Sequence, residues 1–191
     1  ARITIVMMTD GAETRALIDQ PEEYRRSVRL GEAREVASDL GATLVPWKEP
    51  DSALACEPKN VERLAELLDR LRPRMIFVPF VNDFHPDHVA ANRILAAALE
   101  KSSLESKDVS VLAYEVWAFA PVNLVSEFDG RLFDQKARLL MKYRTGMKVK
   151  DYVGFCRTLN AYHAHMILNR KGFAEGFLSM DAGEYCTLIE G

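Results

Sequence analysis

Cysteine is scarce in this chain. Its three cysteines, Cys56, Cys156 and Cys186, lie far apart in sequence. That spacing offers neither a thiolate zinc cluster nor a disulfide framework, and it fits a reducing cytoplasm. Long apolar runs are missing too. None nears the roughly 18 residues of a membrane span, and no secretory signal is visible. Positive charge is not in excess: the formal net charge is −3, so a nucleic-acid partner is not expected. No G-x-G-x-x-G follows a strand-like run, which weighs against a dinucleotide-binding turn. Repeats, low-complexity tracts and splitting linkers are absent as well. With 191 residues and 48% hydrophobic content, residues 1–191 read as a single domain with a full core.

The chain also lacks an initial methionine. It begins at Ala1, and an apolar strand-like run, ITIVMM at 3–8, starts almost at once. The expectation is that an upstream segment has been cut off or left out.

Periodicity gives the elements. Residues 22–40 carry Val28, Leu30, Ala33, Val36, Ala37 and Leu40 at helical spacing, and Gly41 is a stop signal. Residues 42–47 read as a strand. Residues 61–71 form a second amphipathic helix, with Leu64, Leu67, Leu68 and Leu71 on one side. Strands are expected at 75–80, 109–119 and 123–128, and helices at 88–100, 134–143 and 151–169. Residues 184–189 read as a strand or a short helix. Strands alternating with helices predict an α/β fold, Rossmann-like in three layers, with a largely parallel sheet flanked by helices.

The chemistry concentrates in FVPFVNDFHPDHVAANRIL, residues 77–95. A strand ends at Phe80, and Pro86 suits the first turn of a helix, where its missing N–H costs nothing. This places His85 near the N-cap and puts Asp87 in the first turn, where the helix dipole favours negative charge. His85 and His88 are three residues apart and can share a face. The carboxyl ends of strands in open α/β sheets are where ligands bind. Two imidazoles there can serve a metal, a proton transfer or both. Equally, they can be polar groups at a helix start. A catalytic zinc takes three protein ligands and keeps an open position, so the pair alone does not complete a site.

These residues, with their surroundings, resemble the LmbE-like (PIG-L type) family of zinc-dependent deacetylases. The likeness runs through five ordered stretches: IVMMTDGAET, RLGEAREVASDLGA, LRPRMIFVPFVNDFHPDHVAANRIL, FDQKARLLMKYRTG and KGFAEGFL. It implies removal of an N-acetyl group from an N-acetylglucosamine-type sugar conjugate by metal-activated water. By that resemblance His88 is a zinc ligand. His85 stabilises the tetrahedral intermediate or donates a proton to it. Asp87 orients a histidine from behind, a role that fits metal sites generally. Arg29 contacts sugar hydroxyls; its other reading is a solvated charge on an amphipathic helix. The family's other motif, His-Pro-Asp-Asp-Glu, is absent here, and the remaining metal ligands are expected upstream of Ala1. The ion implied is Zn2+; Fe2+ or another divalent ion suits the same His/His/Asp set.

Other residues carry weaker signals. Asp10 lines the substrate pocket or simply forms the Asp-Gly turn. Asp83, beside His85, is either a supporting group behind the histidines or a cap at the helix start. His163 and His165 are two apart, so on a helix they point in different directions. Trp47 and Trp117 read as packing groups. The expected partner is a small-molecule N-acetyl sugar conjugate, with no nucleic acid and no membrane, and a homo-oligomer is left open. The leading expectation is a metal-dependent N-deacetylase. The alternatives are an amidase acting on a larger thiol-sugar or antibiotic conjugate, and a sugar- or partner-binding module without turnover.

Overall fold

A computed structural model describes residues 1–190, with thirteen β-strands and α-helices among them. They are β1 (Thr4–Thr9), α1 (Glu22–Asp39), β2 (Thr43–Glu49), α2 (Pro58–Leu71), β3 (Met75–Pro79), α3 (Pro86–Lys101), β4 (Ser110–Tyr114), β5 (Leu124–Phe128), α4 (Gly130–Lys142), α5 (Arg144–Val149), α6 (Tyr152–Met166), β6 (Phe173–Asp181) and α7 (Ala182–Glu190). The fold is mixed α/β, and its sheets are largely parallel. One sheet is the parallel pair β1–β2; the other has the strand order β3-β4-β6-β5. No described helix is long and apolar enough to cross a membrane.

The chain divides into two compact units. The first is Ala1–Ala53 with Ser126–Glu175; the second is Leu54–Val125 with the chain from Gly176 onward. The boundary passes through β5 and β6.

In the first unit β1 and β2 run in parallel, with Thr4 opposite Thr43 and Val6 opposite Val45. Helix α1 buries Ala33, Val36 and Ala37, the face its spacing predicts. Phe133 of α4 is fully buried and stacks on Phe173 with centroids 4.5 Å apart. The Arg157 guanidinium lies over the same Phe133 ring at 4.3 Å. A carboxylate sits at the centre of this unit. Glu32, 1% exposed, accepts the Thr145 N–H at 2.8 Å, the Thr145 hydroxyl at 2.7 Å and Arg29 Nη1 at 2.6 Å. A buried charge needs this level of pairing to be tolerated.

In the second unit β3 and β4 are parallel, with Phe77 opposite Leu112. Strand β4 pairs antiparallel with β6, Ser110 opposite Asp181. Ile94 and Ala98 of α3 and Val111 of β4 are fully buried. Asn92, also buried, donates to the carbonyls of Pro79 and His88 at 3.0 and 2.8 Å and accepts the Tyr185 hydroxyl at 2.7 Å. One side chain thus joins the end of β3, the first turn of α3 and α7.

The structure moves several expected boundaries. Helix α2 begins at Pro58, three residues early, because Pro58 occupies the first turn. Helix α4 begins at Gly130, with Asp129 capping it by accepting the Leu132 N–H. The strand expected over 109–119 stops at Tyr114. Beyond it the amides turn to side chains: Trp117 N–H donates to Asp83 and Ala120 N–H to Glu115. Strand β6 was not expected at all. Its central Gly176 and the KGFAEGFL composition lack the alternation of a half-buried strand. Residues 182–190 form a helix, which resolves the choice left open there.

Candidate active site

The loop between β3 and α3 is closed by short-range bonds. Phe80 N–H donates to the Tyr114 carbonyl at 2.8 Å, and Asp83 N–H donates to the Phe80 carbonyl at 3.0 Å. Asp83 Oδ1 then accepts the His85 N–H at 2.9 Å. His85 is the N-cap of α3. Its backbone is extended, and its Nδ1 accepts the Asp87 N–H at 3.3 Å. Pro86 occupies the first turn, as its fixed φ prepares it to do.

His88 follows one turn later. Its ring stacks on His85 with centroids 4.8 Å apart and planes 29° from parallel. Its Nδ1 is buried and lies 3.1 Å from Asp83 Oδ2, at an approach too bent for a well-formed hydrogen bond. The two nitrogens of an imidazole lie on diverging edges, so Nε2 is directed away from Asp83. Asp83 has no exposed side-chain surface. Burial alone pushes its carboxyl up, but the His85 amide, the His88 ring and the Trp117 amide outweigh that. The net effect holds it below the usual aspartate range.

Asp87 is buried, and its Oδ1 accepts the Leu54 N–H at 3.0 Å. It thus fixes the start of this unit to α3, while its own N–H reaches His85. Phe84, beside His85, is 76% exposed.

The other two expected site residues, Asp10 and Arg29, belong to the first unit. Asp10 is buried at the end of β1; its Oδ1 accepts the Ala12 N–H at 3.0 Å and its Oδ2 meets Arg26 Nε at 2.6 Å. The first bond makes the turn that an Asp-Gly pair predicts. Gly11 has φ +70°, and a Cβ there would sit 3.0 Å from Arg29 Nε. Glycine is needed both for its backbone and for this close approach. Arg29 is held by Glu32 and by Thr145 Oγ1 at 2.9 Å, with its guanidinium 5.5 Å from the Tyr143 ring centroid. The structure therefore brings Asp10's turn and Arg29 together in one unit, and His85, Asp87, His88 and Asp83 together in the other. His163 is buried in α6 and His165 is exposed, so they share no face.

The donors around His88 suit a divalent cation in kind. An imidazole with a carboxylate behind its inner nitrogen is the usual arrangement of a metal-binding histidine. They do not suffice in number. No group of three or more His, Cys, Asp or Glu among the described residues could hold a metal ion. His88 fits as one ligand of a set completed by others.

Against known proteins, the family model described as "PIG-L: GlcNAc-PI de-N-acetylase" matches residues 1–99. The chain belongs to the PIG-L family. A search of curated protein sequences gives no match. Among solved structures, this PIG-L chain is similar to the conserved protein TT1542 from Thermus thermophilus. The identity is 26% and the TM-score 0.75, over 93% of this chain and 81% of that one. It shares its fold with the N,N'-diacetylchitobiose deacetylase of Pyrococcus horikoshii, at 19% identity and TM-score 0.77, over 96% and 74% of the two chains. It also shares it with GalB, the 4-carboxy-2-hydroxymuconate hydratase of Pseudomonas putida, at 17% identity and TM-score 0.75, over 94% and 84%. The last two likenesses concern the fold alone.

Sequence reasoning gave too little weight to three residues. Asp83 stood two positions before a capping histidine, a spacing that allows a side chain to accept that residue's amide. Glu32 and Thr145 gave no signal, because they are 113 positions apart. Only folding joins them.

Proposed function

We propose that this chain acts in metal-dependent hydrolysis of the N-acetyl amide of an N-acetylglucosamine-type sugar conjugate, releasing acetate and the amine. Membership of the PIG-L family supports an N-deacetylase. The observation that carries the reading is the opposite engagement of the two stacked histidines. Nδ1 of His85 is an acceptor, and Nδ1 of His88 faces a carboxylate.

His88 would hold the ion through Nε2, as one ligand of a larger set. When bound, a zinc ion lowers the pKa of its water and polarises the amide carbonyl; Fe2+ can serve similarly. His85 uses its Nδ1 for the helix cap, so a neutral ring carries its proton on Nε2. That N–H is free to donate to the oxygen that gains negative charge as water adds to the carbonyl. Asp87 fixes the first turn of α3 to Leu54 and steadies His85 through its amide. Arg29, locked by Glu32 and Thr145, would offer its remaining N–H groups to sugar hydroxyls, with Asp10 lining the same pocket. A cytoplasmic reaction fits the three unpaired thiols.

Two measurements test this. One is the metal content of the protein by elemental analysis. The other is acetate release from N-acetylglucosamine conjugates. Metal near one per chain together with acetate release supports the reading. Metal retained without acetate release favours another reaction on the same fold. Neither metal nor turnover, with sugar still bound, favours a binding module.

A further inference from the structure

Asp83 has three neighbours and no contact with solvent. Its Oδ1 accepts the His85 N–H at 2.9 Å. Its Oδ2 accepts the Trp117 N–H at 3.1 Å and lies 3.1 Å from His88 Nδ1. The first two partners are backbone amides from different loops, one following β3 and one following β4. The third is a ring nitrogen whose protonation is not fixed by covalent structure. A carboxylate already occupied by two N–H donors presents only lone pairs to that nitrogen. Facing it, a neutral imidazole keeps its proton on Nδ1, because a bare Nδ1 would set lone pair against lone pair between two buried atoms. The neighbouring His85 shows the reverse. Its Nδ1 receives an N–H, so its proton belongs on Nε2.

We propose that Asp83 is the positioning residue of this site: by holding the Nδ1–H form of His88 it leaves Nε2 as a bare lone pair directed away from Asp83, and by holding the His85 and Trp117 amides it keeps that ring in a fixed loop frame. The metal-binding consequence rests on the function proposed above; the tautomer assignment does not. Asp83 acts through His88 and touches no reacting atom. The bent approach of Nδ1 to Oδ2 means that a modest ring rotation improves the bond once a ligand engages Nε2, as catalytic hydrogen bonds tighten on assembly.

The decisive measurement is the tautomer of His88, read by long-range 1H–15N NMR of the metal-free protein with 15N-labelled histidine. The spectra are recorded at alkaline pH, where the tautomers of neutral imidazole are the species read. His88→Gln and His85→Gln variants assign the signals. The expected result is a protonated Nδ1 on His88 and a protonated Nε2 on His85. A His88 proton on Nε2 overturns the proposal without any variant at Asp83 being made. As a second test, Asp83→Asn puts an NH2 where one of the three N–H groups pointed. It should shift the His88 tautomer and weaken Zn2+ binding, measured by chelator competition on the full gene product, by roughly 10–100-fold. A role limited to loop packing would lower the melting temperature and leave the tautomer alone, and that outcome also overturns the proposal. If the expected tautomers appear but no acetate is ever released, the deacetylase reading fails and the role of Asp83 stands.

Discussion

His85 and His88 lie face to face, 4.8 Å between ring centroids, and turn the same nitrogen to opposite kinds of partner. Nδ1 of His85 receives an amide proton, while Nδ1 of His88 faces a carboxylate. A single helical turn thus presents a hydrogen-bond donor and a bare lone pair side by side. Helix capping and site chemistry are therefore not competing explanations for His85, since the cap itself selects the nitrogen that donates.

That division of labour separates three substitutions. His88→Ala removes a ligand, and metal content should fall to background in the full gene product. His85→Asn should retain metal, because Asn is a favoured N-cap and preserves the helix start. It loses the donor, and turnover should drop by roughly 10²–10³. His85→Ala should show the same kinetic loss plus about 1 kcal/mol of lost stability from the missing cap. Elemental analysis, acetate release and urea denaturation read the three effects independently. Loss of metal on His85→Asn would move His85 into the ligand set.

The buried Glu32 gives a second prediction, independent of any metal. Replacing it by Gln turns one acceptor oxygen into an NH2 facing the Thr145 amide, the Thr145 hydroxyl or the Arg29 guanidinium, all of them donors. The cost should be roughly 1–3 kcal/mol, the usual range for leaving buried partners unsatisfied. The urea midpoint measures it. If Arg29 meets substrate, Glu32→Gln should also raise KM more than it lowers kcat, because the guanidinium loses its orientation. A stable variant with unchanged KM would leave Glu32 as no more than a local ion-pair partner of Arg29.

Local signals in the sequence were enough to read most of this architecture. Val28, Ala33, Val36 and Ala37 marked α1, Pro86 marked the start of α3, and the apolar run 75–80 marked β3. Each of these rests on neighbours within a turn or two. What escaped was set by distant partners. The strand ending at Tyr114 looked longer because Val116 to Phe119 are apolar or aromatic, yet the Trp117 amide belongs to Asp83. Strand β6 lies between β4 and β5 in its sheet, pairs with β4 from Ser110 to Tyr114, and has no alternation of its own. The same limit held at the site. His85, Asp87 and His88 were visible as a contiguous motif, whereas the carboxylate behind His88 became clear only from the distances around Asp83.

A pH-dependent prediction comes from α3 and α7. The Glu100 carboxyl is held above its ordinary range, first by a hydrogen bond with Glu190, then by that residue's charge, then by burial. The sign follows from linkage. A carboxyl that binds its proton more tightly in the folded state stabilises the fold as pH falls through the folded value. Above that value Glu100 is ionised beside Glu190, and the repulsion opposes folding. Glu100→Gln should therefore raise the melting temperature at pH 7 and give a smaller gain near pH 4, because the raised Glu100 carboxyl takes up its proton as the pH falls. Glu100 is exposed, so solvent screening limits the benefit to a few tenths of a kcal/mol, on the order of other surface charge pairs. Thermal melts of the two proteins at both pH values decide it. An equal shift at both would assign the effect to helix propensity or packing, and no shift at pH 7 would mean that Glu190 does not press on Glu100 in solution.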